Sequence, residues 1–199
     1  MIELIVLGYE GTIVPAEGEA RLRSGAREFL EAHVHLRIAV CSQKPRATLE
    51  QELEQLGVFS CHPHVKAYGY EDMKRIITDT DLPQGLSLEE GARYAAEVVT
   101  GERSPASFSL QPDLRLIARE SCPLQWKEAL ERTAVVSASP WDIEEAFWEN
   151  VRAFEVPAYL TADEDLFDFS GTDVGDWRNE LRFAAQKYLL GEPRLIRKG

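Results

Sequence analysis

The amino-acid sequence predicts an α/β protein, a doubly wound parallel sheet interrupted by a small helical insertion. Three observations carry that prediction. Strand and helix signals alternate along the chain instead of falling in separate blocks. The strand candidates are short, continuously apolar runs of the kind buried on both faces of a parallel sheet. The helices between them have recognisable starts and stops. At 199 residues the chain can bury one good core with a smaller insertion, and two large independent domains are not expected.

The first strand is Met1-Ile2-Glu3-Leu4-Ile5-Val6-Leu7, closed by a glycine turn at Gly8. Ser24 is placed to cap a helix running to about Ala32, and Leu36 to Cys41 is a second buried strand. Pro45 opens a helix whose Leu49, Leu53 and Leu56 recur at helical spacing until Gly57 stops it. Arg132 to Val136 reads as another strand, Ser139-Pro140 as the start of the next helix, and Phe154 to Leu160 as a further strand. Between Val65 and Ser109 the rhythm changes. Tyr70 to Thr78 carries Met73, Ile76 and Ile77 on one helical face, and Ser87-Leu88-Glu89-Glu90 is a capping box. The helix it opens is lined by Leu88, Ala92, Ala95, Ala96 and Val99, and Gly101 to Ser107 is its return linker. From Thr161 an acidic loop, Asp163, Glu164 and Asp165, leads to a helix capped near Asp176 with Trp177, Leu181, Ala184 and Tyr188 on one stripe. The expected organisation is a Rossmann-like core of residues 1–65 and 108–162, a cap-like helical insertion at 66–107, and a C-terminal extension, 163–199, packed on the core.

Composition narrows the function classes. A formal charge of −12 disfavours nucleic acid, whose phosphates are bound by clustered cations, and the only basic cluster is Arg194, Arg197 and Lys198. No stretch approaches the roughly 18 apolar residues of a membrane span. With Glu3 near the start and Gly8 closing the apolar run, nothing reads as a signal peptide. Cys41, Cys61 and Cys122 are an odd, widely spaced set, read as thiols in a reducing compartment. The expectation is a soluble, cytoplasmic protein with neither a nucleic-acid nor a membrane partner.

The chemistry lies at the strand ends. The first strand runs into Gly8-Tyr9-Glu10-Gly11-Thr12-Ile13-Val14, and the second ends in Arg37-Ile38-Ala39-Val40-Cys41-Ser42. Leu110-Gln111-Pro112-Asp113-Leu114 leads a helix, and Val135-Val136-Ser137-Ala138-Ser139-Pro140-Trp141-Asp142 joins a strand to one. These four segments, in this order, resemble the motifs of the haloacid dehalogenase (HAD) superfamily. In that family an Asp-x-Asp-Gly-Thr loop follows the first strand, a Ser or Thr ends the second, a Lys leads a helix, and Gly-Asp-Ser-x-x-Asp ends a later strand. The resemblance covers roughly residues 1–60 and 108–160 and implies a HAD-like fold with a degenerate site. Gly8 stands where the attacking Asp belongs, Glu10 at the proton-shuttling Asp, Gln111 at the Lys and Ala138 at the first Asp of the last motif; Ser42 and Asp142 match.

The losses fall on one chemistry. Gly8 has no carboxylate with which to attack phosphorus. The metal cage lacks its ligands from the first and last motifs, and Gln111 donates hydrogen bonds without a full charge. Glu10 starts two residues late and is one methylene longer than Asp, and a misplacement of about 1 Å can cost on the order of a hundredfold in rate. The resemblance therefore implies a pseudo-phosphatase with a binding, regulatory or complex-subunit role, without a cofactor. The alternative is a divergent hydrolase acting on a small phosphorylated metabolite through Glu10, Ser42 and Asp142, which alone would call for Mg2+.

Plainer roles stand beside these. Glu10 can be a solvated turn residue, Asp142 part of a capping box with Ser139 and Pro140, Ser42 the cap of the helix at Pro45, and Thr12 a turn residue bonding its own backbone. An anion pocket can survive where the Gly11 and Thr12 amides, Ser42, Lys44 and the helix start at Ser139 converge. Cys61-His62-Pro63-His64 brings at most two zinc ligands to one side, and a loop or edge strand with incidental histidines is the expected reading. Neither a Ser-His-Asp arrangement at a nucleophile elbow nor a glycine-rich dinucleotide loop is present. In the helix after Pro140, Ile143, Ala146 and Phe147 mark the face toward the sheet, while Trp141 and Trp148 fall on nearly the opposite side. Those two tryptophans need cover, from the insertion, from the Trp177 helix, or from a protein partner or second subunit.

Overall fold

The computed structural model of the protein describes residues 2–23, 25–76, 85–100 and 109–156. Its centre is β1 (Leu4–Gly8), every residue of which is buried. Parallel neighbours β2 (Arg37–Cys41) and β6 (Thr133–Ser137) flank it, and β3 (Val65–Tyr68) and β7 (Arg152–Glu155) complete a sheet of order β3-β2-β1-β6-β7. The chain winds outward from β1 to β3, then returns to the other side of β1 at β6. In open sheets of this kind the reversal point is where ligands bind, outside the carboxyl ends of the strands.

Alternation along the strands sends side chains to two cores. Ile5, Leu7, Ile38 and Val40 pack under α1 (Ala26–Ala32), α2 (Arg46–Gln55) and α3 (Val58–Cys61) through Phe29, Leu30, Leu49, Leu53 and Val58. Leu4, Val6, Ala39 and Val135 pack under α5 (Leu114–Ser121), α6 (Trp126–Glu131) and α7 (Pro140–Trp148) through Leu114, Ile117, Ala129 and Ala146. Helices on both faces leave no solvated side to the sheet, which is why the strands lack polar alternation. Leu49 and Leu53 are fully enclosed, and truncating either to Ala removes about 2–5 kcal/mol of stability.

The insertion departs from expectation. Over Tyr70 to Ile76, the described part of the expected Tyr70–Thr78 helix, Tyr70–Asp72 is one 3₁₀ turn, followed by β4 (Met73–Ile76) pairing antiparallel with β5 (Ser109–Pro112), Met73 opposite Pro112. Two interactions override the helical spacing. Asp72 is committed to the Arg46 guanidinium and the Gly69 N–H, and the β4 backbone finds its partner more than thirty residues later. The same turn caps α2, where Pro45 offers no side-chain acceptor: the Glu71 carboxylate accepts the Arg46 N–H at 2.9 Å. The sheet also continues past residue 65, through β3 to Tyr68. Beyond β4 stands α4 (Leu88–Val99), whose capping box is complete: Ser87 Oγ accepts the Glu90 N–H at 3.3 Å and Glu90 accepts the Ser87 N–H at 2.9 Å. Its inward residues are Gly91 and Val98, and the expected lining residue Leu88 is 93% exposed.

The α7 face is also rotated from expectation. Ala146 is buried and Ile143 packs on the core, but Phe147 is 56% exposed while Glu145 is buried. Lys74 of β4 accounts for the inversion by pairing with Glu145. Burial raises the Glu145 pKa and the Lys74 ammonium opposes that rise. Trp148, 70% exposed, meets Phe147 edge to face at 5.8 Å, and Trp141 is half-buried.

The last strand among the described residues begins at Arg152, two residues before its expected start. Ser24, Ile77 to Gln84, the linker at Gly101 to Ser107, and everything after Val156, including the C-terminal extension, lie outside the described residues. Among the described residues no helix is long and apolar enough to cross a membrane.

The histidine cluster is structural at its centre. His62 Nε2 lies 3.1 Å from the His33 carbonyl, and its Nδ1 accepts the His64 N–H at 3.2 Å, so the ring is neutral with the proton on Nε2. Cys61 instead accepts from Arg27 at 2.8 Å. Burial first, with lesser repulsion from His64 and His33, lowers the His62 pKa against backbone hydrogen bonds that favour the charged ring. The unfolded chain takes up this proton near 6.5 and the fold resists it, so the His62 contribution is complete above that value and declines as pH falls below it. The stability advantage of wild type over His62→Gln will therefore narrow from pH 7.5 to pH 5 in paired denaturant titrations; a constant gap would remove His62 from the acid response.

Candidate functional site

Three strand ends converge. After Gly8 the chain turns back at Gly11, held at φ 71, and the Ile13 and Val14 N–H groups return to the Tyr9 carbonyl at 3.1 Å. Buried Arg23 braces this loop by donating to the Gly11 carbonyl at 2.8 Å. Beyond β2 come Ser42 and Lys44; beyond β6 come Ala138, Ser139 and α7. Together with Met73 of β4 they enclose a cavity of about 530 Å³, within the range of about 300–1,000 Å³ usual for small-ligand sites.

One wall is an ionic chain. The Ser42 hydroxyl lies 3.0 and 3.1 Å from the two Glu10 carboxylate oxygens and accepts the Lys44 N–H at 3.1 Å. Lys44 Nζ donates to Glu52 at 2.7 and 2.9 Å, with Glu10 farther off at 3.6 Å. Burial alone would raise the Glu52 pKa, but Lys44 and the nearby Tyr9 hydroxyl outweigh it and the pKa falls. Lys44 Nζ also sits 5.0 Å from the Tyr9 ring centroid. Tyr9 itself is buried, and burial followed by the Glu52 carboxylate raises its pKa strongly, so its hydroxyl stays neutral.

The opposite wall is a relay of hydroxyls. Ser137 Oγ donates to Asp142 Oδ2 at 2.6 Å and accepts the Ser139 N–H at 3.1 Å; Ser139 Oγ accepts the Asp142 N–H at 3.4 Å. Thr12 Oγ1 accepts the Ala138 N–H at 2.9 Å, tying the first loop to the last. Asp142 is only 7% exposed, and burial, reinforced by Glu10 and opposed by the two serines, pushes its pKa up to about 6. The capping box expected for Asp142 is thus indirect. Its carboxylate does not take the Ser139 N–H; Ser137 stands between them.

Gly8 is tightly confined. A Cβ there would fall closer to Ser137 Oγ than non-bonded atoms approach, 3.0 Å from Thr12 Oγ1 and 3.2 Å from Ser137 Cβ. The volume from which a residue-8 side chain would emerge is filled by the Ser137 hydroxyl.

Of the residues singled out in the sequence, Gly8, Glu10, Gly11, Ser42, Lys44, Ala138 and Asp142 all line the cavity. Thr12 is buried behind it, occupied with Ala138. Gln111 is buried on β5 opposite Lys74 and does not line it. Trp141 and Trp148 lie on α7 outside it. Sequence reasoning missed Ser137, Glu52 and Met73. Only Ser137 left a sign, as a polar residue closing an apolar strand.

The cavity donors do not compose a magnesium cage. Position 8 supplies no side-chain oxygen, and among the described residues two carboxylates, Glu10 and Asp142, line the cavity, short of the oxygen shell that magnesium takes. Among the described residues no group of three or more His, Cys, Asp or Glu could hold a metal ion. The chain matches no protein-family model and no curated protein is significantly similar to it. Fold and cavity therefore define a doubly wound α/β protein with a strand-end pocket at its switch point.

The crowding at Gly8 gives a sharp test. Gly8→Ala alone should cost about 1–3 kcal/mol, because the new methyl must drive Ser137 Oγ off Asp142. In a Ser137→Gly background the same change should cost far less, and additive losses would show that the two positions do not meet. Asp142 gives a second. Its raised pKa means that the protonated fold is favoured below about 4 and that this advantage disappears as pH rises through 6. Asp142→Asn should gain stability relative to wild type across that interval, by on the order of 3 kcal/mol, readable as diverging melting midpoints.

Proposed function

We propose that this chain is a degenerate HAD-like protein that retains a ligand cavity without aspartyl-phosphate chemistry, and that it acts as a binding or regulatory subunit. One observation supports this reading above the others: among the described residues, the cavity offers phosphate neither a carboxylate at position 8 nor a cation free of carboxylate partners. Gly8 provides no side chain and Ser137 occupies the space beside it. Lys44 is shared between Glu52 and Glu10. In a serine hydrolase whose nucleophile was removed, the loss reached around a millionfold.

A divergent hydrolase remains the competing reading, because Asp142, raised to about 6 beside a serine hydroxyl, has the pKa of an acid–base group. The two separate in one assay. Wild type with p-nitrophenyl phosphate and magnesium should show no turnover above the buffer rate. Turnover that Glu10→Gln abolishes would establish the hydrolase instead. Restoring chemistry requires a change at Ser137 as well as at the motif positions: Gly8→Asp with Ala138→Asp should remain silent, and adding Ser137→Gly should create the first measurable rate.

A further inference from the structure

The cavity's charge carries the binding reading further. Three ionisable groups that line it can be charged, Glu10, Lys44 and Asp142. Lys44 is neutralised from behind by Glu52 at 2.7 Å, and its contact with Glu10 is the longer one, 3.6 Å. Among the described lining residues, two carboxylates thus face one cation that Glu52 already engages, which leaves the site with a net negative charge. Each carries a hydroxyl donor on a neighbouring serine, which orients it without cancelling its charge. Between them the walls are largely apolar, formed by Tyr9, Ala16, Met73 and Ala138. The Tyr9 ring already has an ammonium, that of Lys44, over its face.

We infer that the cavity binds a small organic ammonium ion with an apolar body, its N–H groups shared between Glu10 and Asp142, and rejects phosphate. An ammonium suits this donor set where magnesium does not. It needs a few acceptors and tolerates an apolar remainder, whereas the metal demands an octahedral oxygen shell. The inference rests on the binding reading proposed above and names the class of ligand for that same site.

Phenethylammonium chloride, its neutral isostere 2-phenylethanol, and inorganic phosphate serve as probes in calorimetric titrations of the full chain at pH 7.5. The ammonium should bind; the alcohol and phosphate should bind at least roughly tenfold more weakly, the loss expected when one charge-assisted hydrogen bond is removed. Glu10→Gln and Asp142→Asn should each weaken the ammonium by a similar factor. The Glu10 side chain is itself exposed, so its variant keeps the test valid should Asp142→Asn fail to fold. Equal binding of alcohol and ammonium, tighter binding of phosphate, no ammonium binding, or an affinity unchanged in Glu10→Gln would each overturn the inference. Phosphate binding without hydrolysis would leave the non-catalytic reading standing and remove only the assignment of ligand class; hydrolysis in the assay above would remove the reading itself.

Discussion

The strand ends are organised by the register that holds β1 between β2 and β6. Leu7 stands opposite Val40 and Val136, so Gly8 emerges level with Cys41 and against Ser137. Three loops then leave the sheet from one line, and the pocket is the gap between them. The closeness of β1 to Ser137 is possible only because residue 8 has no side chain. A hydroxyl occupies that space, and the same hydroxyl orients the Asp142 carboxylate and holds the first amide of the α7 cap. The space beside residue 8 is thus a packing contact between two strands.

That contact limits what the pocket can do. Electrostatic catalysis of phosphoryl transfer depends on preorganised positive charge facing the transferring group. Here the cation nearest the pocket is drawn away by α2, where Glu52 projects toward Lys44, while a carboxylate on each side faces the pocket. Burying Asp142 is itself costly, as its raised pKa records, and a structure that bears that cost to hold a second carboxylate beside Glu10 is poorly suited to an anionic substrate.

Much of the fold was legible in the sequence because its strands are buried on both faces. Leu4 to Leu7, Ile38 to Cys41 and Ala134 to Val136 read as apolar runs at any register, and Ser87 and Ser139 mark their helices through local caps. The errors have a common physical origin in contacts between residues far apart in sequence. Met73 to Ile76 has spacing compatible with a helix, and only β5 makes it a strand. Phe147 is the natural inward residue of α7 by hydrophobicity, yet Glu145 takes the buried place because Lys74 reaches it from another element. At the site, Gly8 at the end of β1, Glu10 and Ser42 just beyond strand ends, and Asp142 in the first turn of α7 were marked by the four motif-like segments. The partners that define their chemistry were not: Glu52 lies eight residues from Lys44 on a helix, and Ser137 acts through a close approach that no spacing encodes.

β4 links these two levels. Met73 forms part of the pocket wall, and the next residue, Lys74, pairs with Glu145 and lies 3.6 Å from Glu149, which in turn binds Arg115 of α5. A strand sends successive side chains to opposite sides, so one short segment lines the cavity on one side and anchors α7 on the other. The first turn of α7 carries Asp142. Displacing β4 would withdraw the Met73 wall and release the helix that positions the buried carboxylate, so the base of the insertion and the shape of the pocket are not independent. Because Glu145 is buried, removing Lys74 would leave its carboxylate uncompensated, a change that costs about 3–5 kcal/mol where both partners are buried and less here, where Lys74 is 32% exposed. The pocket is therefore built jointly by the sheet and the insertion, and two of its supporting contacts, Glu52 to Lys44 and Lys74 to Glu145, lie outside the four sequence segments first marking the site.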